Sequence, residues 1–378
     1  MCGINGIYGE ENIGLAKELI QKMNSCMEHR GPDDNGVYTE EIIALGHQRL
    51  SILDLSSLGK QPMQSNSGRF VLSFNGEIYN FNEIKKELEG YDFKTQTDSE
   101  MVLAAYEKWG IECLSRFNGM FAIAIWDKTK EELFLARDRM GIKPIYYYQK
   151  EKLFVFSSEI RSLLESGFIP RQLNIDCLSE FLEYQTVNAP NTLVKNVQML
   201  EAGHWMKISK DGLTKKPFWE MEKFTAMQNG INVNEAHVKI KELFFESVER
   251  RMIADVPLGA FLSGGIDSSA VVAAMSKISS KKVETFNINF AEKEFSEAKY
   301  ADEIAKLYNT NHHEIQLNPT DFLEELPYAL MAMDHPSGDG PNSYIVSKAT
   351  RNAGVTVALS GLGGDEIFCG YDVFALLN

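Results

Sequence analysis

The chain is predicted to fold as an α+β domain of antiparallel sheets flanked by helices, followed by an α/β domain with a doubly wound parallel sheet. Three observations predict this. At 378 residues the chain is too long for one ordinary core. Residues 1–205 contain many short β-rich runs punctuated by Gly, Asn and Asp, the pattern of antiparallel strands. From residue 235 onward, strands alternate with helices of ten or more residues, which requires crossover connections and hence a parallel sheet.

Ile4, Ile7 and Tyr8 mark a buried first strand. Further strands are expected at Phe70–Asn75, Phe121–Trp126, Leu133–Ala136, Ile145–Tyr148 and Leu153–Ser157, with helices at Gly14–Glu28, Phe81–Glu89 and Ser99–Trp109. The first domain is placed at residues 2–208. Residues 209–234, with Lys-Asp-Gly, Lys-Lys-Pro and Gln-Asn-Gly-Ile-Asn, are polar enough to read as a linker. The second domain, 235–378, then runs helix Glu235–Met252, strand Val256–Leu262, helix Ser268–Ile278, strand Val283–Phe290 and helix Ser296–Tyr308. Strand His312–Leu317, helices Thr320–Met333 and Ser343–Asn352, and strand Val355–Leu359 complete it. The sequence stops 13 residues after Asp365, so this domain is expected to be incomplete at its C-terminus.

Composition narrows the function. Hydrophobic residues make up 44% and charged residues 24%, the balance of a globular enzyme. There is no apolar run long enough to span a bilayer and no basic-then-apolar leader, so the expected location is cytoplasmic, away from membranes. The net charge of −15 argues against a nucleic-acid partner. The five cysteines are scattered, with no C-x-x-C, which fits neither a disulfide framework nor a zinc site. The adjacent His312 and His313 read as strand-edge residues.

Cys2 follows the initiator Met, whose removal would place a thiol and an α-amine on one residue. A free α-amine titrates near ~8 and a thiol near ~8.5, so the amine can act as base for its neighbour. Amide hydrolysis also needs donors where an oxyanion develops, and Asn75-Gly76 after an apolar strand can offer a side-chain amide and an unobstructed N–H. A glutamine substrate needs its head group held: Arg49 suits the α-carboxylate, and Glu77 and Asp98 the α-ammonium.

Met1-Cys2-Gly3-Ile4, His29-Arg30-Gly31-Pro32-Asp33, His47-Gln48-Arg49-Leu50-Ser51-Ile52, Asn75-Gly76-Glu77-Ile78-Tyr79-Asn80 and Thr97-Asp98-Ser99-Glu100 occur in this order. Together they resemble the class II glutamine amidotransferase domain, an Ntn-hydrolase fold. The resemblance implies that Cys2 is the nucleophile and that Asn75 and Gly76 form the oxyanion hole. It also implies that Arg49, Glu77 and Asp98 hold glutamine, with the backbone of Leu50 to Ile52 lining the pocket. The His29 segment is implied to be a turn that shapes the site, without a catalytic histidine.

Ser263-Gly264-Gly265-Ile266-Asp267-Ser268-Ser269 lies between an apolar strand and an apolar helix, where glycines and helix-start N–H groups can approach anionic oxygens. It is not a Walker A loop, because no Gly-Lys-Ser/Thr is present. Ser360-Gly361-Leu362-Gly363-Gly364-Asp365-Glu366 follows another strand end, where ligands collect in open α/β sheets. The first string is similar to the pyrophosphate loop of the ATP pyrophosphatase family, so ATP is implied, with Asp267 and Asp365 as Mg²⁺ ligands. Phe261, Leu262 and Ile288 lie where that family contacts the nucleotide, and Ser360 and Gly361 would join Ser263–Ser269 around the phosphates.

The order of the two motif sets resembles glutamine-hydrolysing asparagine synthetases. That likeness implies that glutamine yields ammonia, ATP adenylates aspartate, and ammonia displaces AMP along a sheltered path. Leu362 stands where those enzymes usually carry Glu, at the position of the adenylate intermediate, and Cys369 replaces a usual Gly. These departures keep open a relative that amidates another carboxylate, such as a uronic acid. The partners implied are small molecules, and a homodimer remains open.

Overall fold

The computed structural model describes residues 1–9, 13–225, 230, 232–290, 297–337, 339–371 and 373–374. The chain divides into two compact units, Met1–Asn229 and Gly230–Asn378.

The first unit holds twelve strands among its described residues: β1 (Gly3–Tyr8), β2 (Asp34–Glu40), β3 (Ile43–Arg49), β4 (Met63–Gln64), β5 (Phe70–Ile78), β6 (Gly119–Asp127), β7 (Glu132–Arg137), β8 (Tyr146–Lys150), β9 (Leu153–Ser157), β10 (Val197–Met199), β11 (His204–Ser209) and β12 (Gly212–Pro217). They form two six-stranded sheets, ordered β10-β8-β9-β1-β3-β2 and β12-β11-β7-β6-β5-β4. Every pairing between these strands is antiparallel.

Period-two alternation decides what each face covers. Ile4, Leu45, Val71, Ala124, Trp126 and Phe156 join in one buried cluster between the sheets. Ile7, Ala44 and Val155 point the other way, against Ile20 and Met23 of helix Ile13–Ser25 and Leu163 of helix Ile160–Glu165. Leu72 and Phe74 pack outward against Ile84 of helix Phe81–Glu87 and Val102 of helix Asp98–Trp109. The layers are helix, sheet, sheet, helix.

The expected strands and helices of this unit are present, mostly with shifted ends. β2 and β3 were not expected: Asp34-Asn-Gly and Gly46-His-Gln-Arg are weak strand formers, and pairing with β1 imposes the conformation. The linker beginning at residue 209 is corrected at its start. Strand β12 pairs with β11 across Ser209↔Gly212, so the first unit's sheet continues to Pro217. Residues 226–229 and 231 of that stretch lie outside the described residues.

In the second unit β13 (Leu258–Phe261), β14 (Glu284–Phe290), β15 (Asn311–Leu317) and β16 (Val357–Leu359) form one sheet ordered β15-β14-β13-β16. All its pairings are parallel. Helices Val233–Arg251, Ile266–Ile278, Ala298–Tyr308, Pro319–Ala332 and Gly340–Asn352 alternate with the strands as expected; the expected helix start at Ser296 lies outside the described residues. Strand order switches direction at β13, whose neighbours are β14 and β16. The loops after β13 and β16 therefore leave the sheet at the switch point, where such sheets bind ligands.

Candidate active sites

In the first unit, β1 lies between β3 and β9, and this delivers Cys2 to the end of their sheet. Cys2 is half-buried. Its Sγ accepts from Leu50 N–H at 3.4 Å and sits 3.7 Å from Leu50 O, which brings the backbone after β3 against the thiol. Arg30 Nε donates to Cys2 O at 2.9 Å, while Arg30 Nη1 and His29 Nε2 meet Glu159 Oε1 at 3.0 and 2.9 Å. Burial alone would raise the Glu159 carboxyl, but the His29 hydrogen bond and the Arg30 charge hold it below the usual range. The turn carrying His29 and Arg30 thus clamps the backbone of Cys2.

Asn75 and Gly76 lie on β5, which outruns its short neighbour β4, since pairing with β4 ends at Leu72. Beyond that point the exposed edge of β5 is served by side chains. Phe74 N–H donates to Gln61 Oε1 at 2.7 Å, and Ile78 N–H donates to Asp98 Oδ2 at 2.9 Å. Alternation puts Gly76 N–H on this same edge, between the two. A Cβ on Gly76 would fall on Met120 O and within 2.8 Å of Phe121 Cα, so only glycine fits that approach. Asn75 is 1% exposed, and its Nδ2 has no hydrogen-bond partner among the described residues. A buried amide donor left unpaired costs about 1–3 kcal/mol, which is sustained where a ligand completes it.

Arg49, buried on β3, donates through Nη1 to Ser56 O at 2.8 Å and through Nη2 to Asp54 O at 2.6 Å. That employs two of the five donors of a guanidinium and leaves its planar fork oriented. Asp98 opens helix Asp98–Trp109 behind the Thr97 cap, where Thr97 Oγ1 accepts from Glu100 N–H. Burial pushes the Asp98 carboxyl up to about 7; the Ile78 hydrogen bond opposes this, and the charges of Glu77 and Cys2 add to it. Glu77 is half-buried nearby.

Ile52 is half-buried, and Ser51 N–H is held by Asp33 Oδ2 at 2.7 Å. The terminal amine, carried here by Met1, is pushed down to about 5 by burial; the neighbouring Lys143 and Arg30 charges add to this and Cys2 opposes it.

Sequence reasoning missed Lys143. Its ammonium is buried and pushed down by that burial, with Glu77 opposing. Asp138 Oδ2 accepts from the Lys143 backbone N–H at 2.9 Å, and Arg137 Nε donates to the Lys143 carbonyl at 2.9 Å. A signal existed: Arg137-Asp-Arg-Met-Gly-Ile-Lys143 sets four ionisable residues between two apolar strands.

In the second unit, Gly265 caps helix Ile266–Ile278 and the preceding Gly264 has φ +87°. A Cβ on Gly264 would lie 2.5 Å from Tyr300 Cβ. The loop is knitted internally: Ser263 and Ser268 hydroxyls meet at 2.9 Å, Gly265 N–H donates to Ser263 Oγ at 3.3 Å, and Ser269 Oγ is buried without a partner among the described residues.

The second glycine loop abuts the first, since a Cβ on Gly361 would lie 2.7 Å from Ser268 N. A Cβ on Gly364 would fall on the Asp267 carboxylate, so Asp267 lies against the second loop, while the Asp365 side chain lies against Gly370. Mg²⁺ binds through one or two carboxylates plus substrate oxygens, a chemistry that Asp267, beside both glycine loops, can offer. Ser263 of the first loop also lines a cleft of about 270 Å³, together with Phe261, Leu262, Ile288, Asp339 and Asn342 among others. Ser360 Oγ accepts from Leu362 N–H at 3.4 Å, and Leu362 itself is 86% exposed.

The glutamine amidotransferase domain family matches residues 1–219, and the asparagine synthase family matches residues 239–378. A Methanocaldococcus jannaschii protein provisionally named glutamine-hydrolysing asparagine synthetase 2 is 38% identical over 98% of this chain and 76% of its own length. Glutamine-hydrolysing asparagine synthetase 1 of Bacillus subtilis is 35% identical over 99% of this chain and 59% of its own. This chain therefore spans 59 to 76% of the length of these two relatives. Among solved structures, the allosteric regulatory enzyme of purine biosynthesis matches with a TM-score of 0.46 and 15% identity, over 95% of this chain and 89% of that one.

Proposed function

The chain belongs to the glutamine-hydrolysing asparagine synthetase family, and from that premise we propose that it releases ammonia from glutamine at Cys2 and spends ATP to join that ammonia to a carboxylate, aspartate first among them. The observation that carries the first half is the Nδ2 of Asn75, without a partner among the described residues, on the stretch of β5 beyond β4, in the unit that holds Cys2.

After Met1 is removed, the amine passes to Cys2. An amine kept neutral can take the thiol proton. The thiolate attacks the side-chain amide carbon of glutamine, whose head is held by Arg49 through its carboxylate and by Asp98 and Glu77 through its ammonium. Asn75 Nδ2 and Gly76 N–H receive the charge that develops on the carbonyl oxygen, worth roughly 3–4 kcal/mol per donor. The Cys2 amine returns its proton to the leaving nitrogen, ammonia departs, and water resolves the thioester to glutamate.

In the second unit, the Ser263–Ser269 loop and Gly361 hold the phosphates of ATP, and the cleft beside Phe261 and Ile288 holds its base. A magnesium ion on Asp267 and Asp365 would shield phosphate charge during attack at the α-phosphorus. The acceptor carboxylate attacks that phosphorus, pyrophosphate leaves, and ammonia then displaces AMP.

Leu362 favours a second reading of the acceptor. Its exposed apolar side chain stands in the loop against the phosphate cradle and offers no charge to an amino-acid head group. A screen of carboxylates, following glutamine-dependent pyrophosphate release, separates the readings. Aspartate is expected to give the signal; a uronic acid giving it while aspartate does not would replace aspartate. Cys2→Ala should abolish glutamate release and leave ammonia-dependent pyrophosphate release intact; loss of both in a folded variant contradicts two separate sites.

A further inference from the structure

His47 is fully buried on β3, opposite Ile4 of β1 and two residues before Arg49. It shares a strand face with Leu45, which lies in the cluster between the two sheets. Its Nε2 reaches across to Phe74 O on β5 at 3.0 Å. A carbonyl can only accept, so Nε2 carries the proton and the tautomer is decided. Burial pushes the ring down to about 4, which keeps it neutral at neutral pH. The other nitrogen, Nδ1, is buried without a partner among the described residues. An apolar side chain would fill this space without that penalty, so the hydrogen bond that His47 makes is what the position retains.

We infer that His47 is the positioning residue of the oxyanion hole, tying the sheet that carries Cys2 and Arg49 to the edge of β5 that carries Asn75 and Gly76. This rests on the glutaminase reading. The accepting carbonyl belongs to the peptide that continues into Asn75, and it lies where β4 has ended and no strand holds the edge. Phe74 N–H is held from the same side by Gln61 Oε1, and Gln61 Nε2 is anchored on Ser99 Oγ at 3.1 Å. His47 and Gln61 together replace the missing strand at Phe74 and leave the next edge N–H, that of Gly76, free for substrate. A hydrogen bond between the sheets also sets how far the thiol's strand stands from the oxyanion donors, and a misplacement near 1 Å costs roughly 10²-fold in rate.

The test compares wild type with His47→Leu, His47→Gln and Gln61→Met. Three quantities are measured: kcat and KM for glutamate release, and the alkylation rate of Cys2 by iodoacetamide, which develops no oxyanion. For His47→Leu, kcat should fall roughly 10²-fold with KM and alkylation nearly unchanged. His47→Gln, which keeps a donor, should recover most of kcat. Should His47→Leu fail to fold, Gln61→Met must show the same split. A folded His47→Leu that keeps its kcat, or Gln61→Met that lowers alkylation as much as kcat, overturns the inference. A wild type that releases no glutamate overturns the glutaminase reading instead.

Discussion

Asn75→Ala separates a catalytic amide from a structural one, because it should cost much activity and little stability. The side chain is 1% exposed and its Nδ2 has no partner among the described residues, so truncation removes no protein hydrogen bond made by that nitrogen. Relief of the unsatisfied donor is worth about 1–3 kcal/mol. Against it stands the small void left by three heavy atoms, which costs a similar amount at about 24 cal/mol per Å³. The net change is within about 1 kcal/mol, a shift of roughly 2–4 °C in Tm for a unit of this size. Catalysis should respond very differently: losing one oxyanion donor costs roughly 2.7–4 kcal/mol, or about 10²–10³ in kcat. Glutamate release at saturating glutamine, measured beside a thermal melt, reads both. Activity within about threefold of wild type would refute the oxyanion role, the donor being worth at least tenfold. A Tm drop above about 10 °C would recast Asn75 as a packing residue.

Asp98 titrates near 7 because it is buried, well above its value in the unfolded chain. Its proton favours the fold at low pH, and that contribution is lost as pH rises through about 7. Glutamine's ammonium needs the ionised form, so KM should fall about tenfold between pH ~6 and ~8 and become flat in Asp98→Asn; a flat wild-type profile sinks the assignment. In Gly59→Ala the added Cβ would land on the Arg49 guanidinium, 2.9 Å from Cζ even at its centre. KM for glutamine should rise about 10-fold or more with kcat less affected, and an unchanged KM would show that Arg49 does not hold the substrate. Gly264→Ala forces φ +87° on a side chain that also meets Tyr300. It should cost about 1–3 kcal/mol and lower ATP-dependent pyrophosphate release while glutamate release persists, measured side by side.

Much of this protein is legible in its sequence because the determinants are local. Cys2, Asp98 and Ser263–Ser269 sit at a strand start, a helix start and a strand-to-helix loop, and Asn75-Gly76 within β5, where short-range rules of capping, glycine and alternation apply. The alternating second unit is predictable for the same reason: each strand and each crossover helix carries its own hydrophobic period. β2 and β3 resist such reading. Gly46-His47-Gln48-Arg49 carries polar residues whose extended form depends on β1, a partner about forty residues away. The same holds for β12, whose Lys-rich stretch looks like a linker until β11 pairs with it.

By itself, then, the sequence determined which chemical groups the protein possesses and which local element presents each of them. Only tertiary structure decided which groups meet. Arg30 reaches Cys2 O, Lys143 is buried beside Glu77 and Cys2, and His47 crosses to Phe74, each across 27 residues of sequence or more. Their meaning comes from burial and partnership. A histidine or lysine in a string of letters is a charge of unknown surroundings, whereas between packed sheets its desolvation and its one hydrogen bond define what it does.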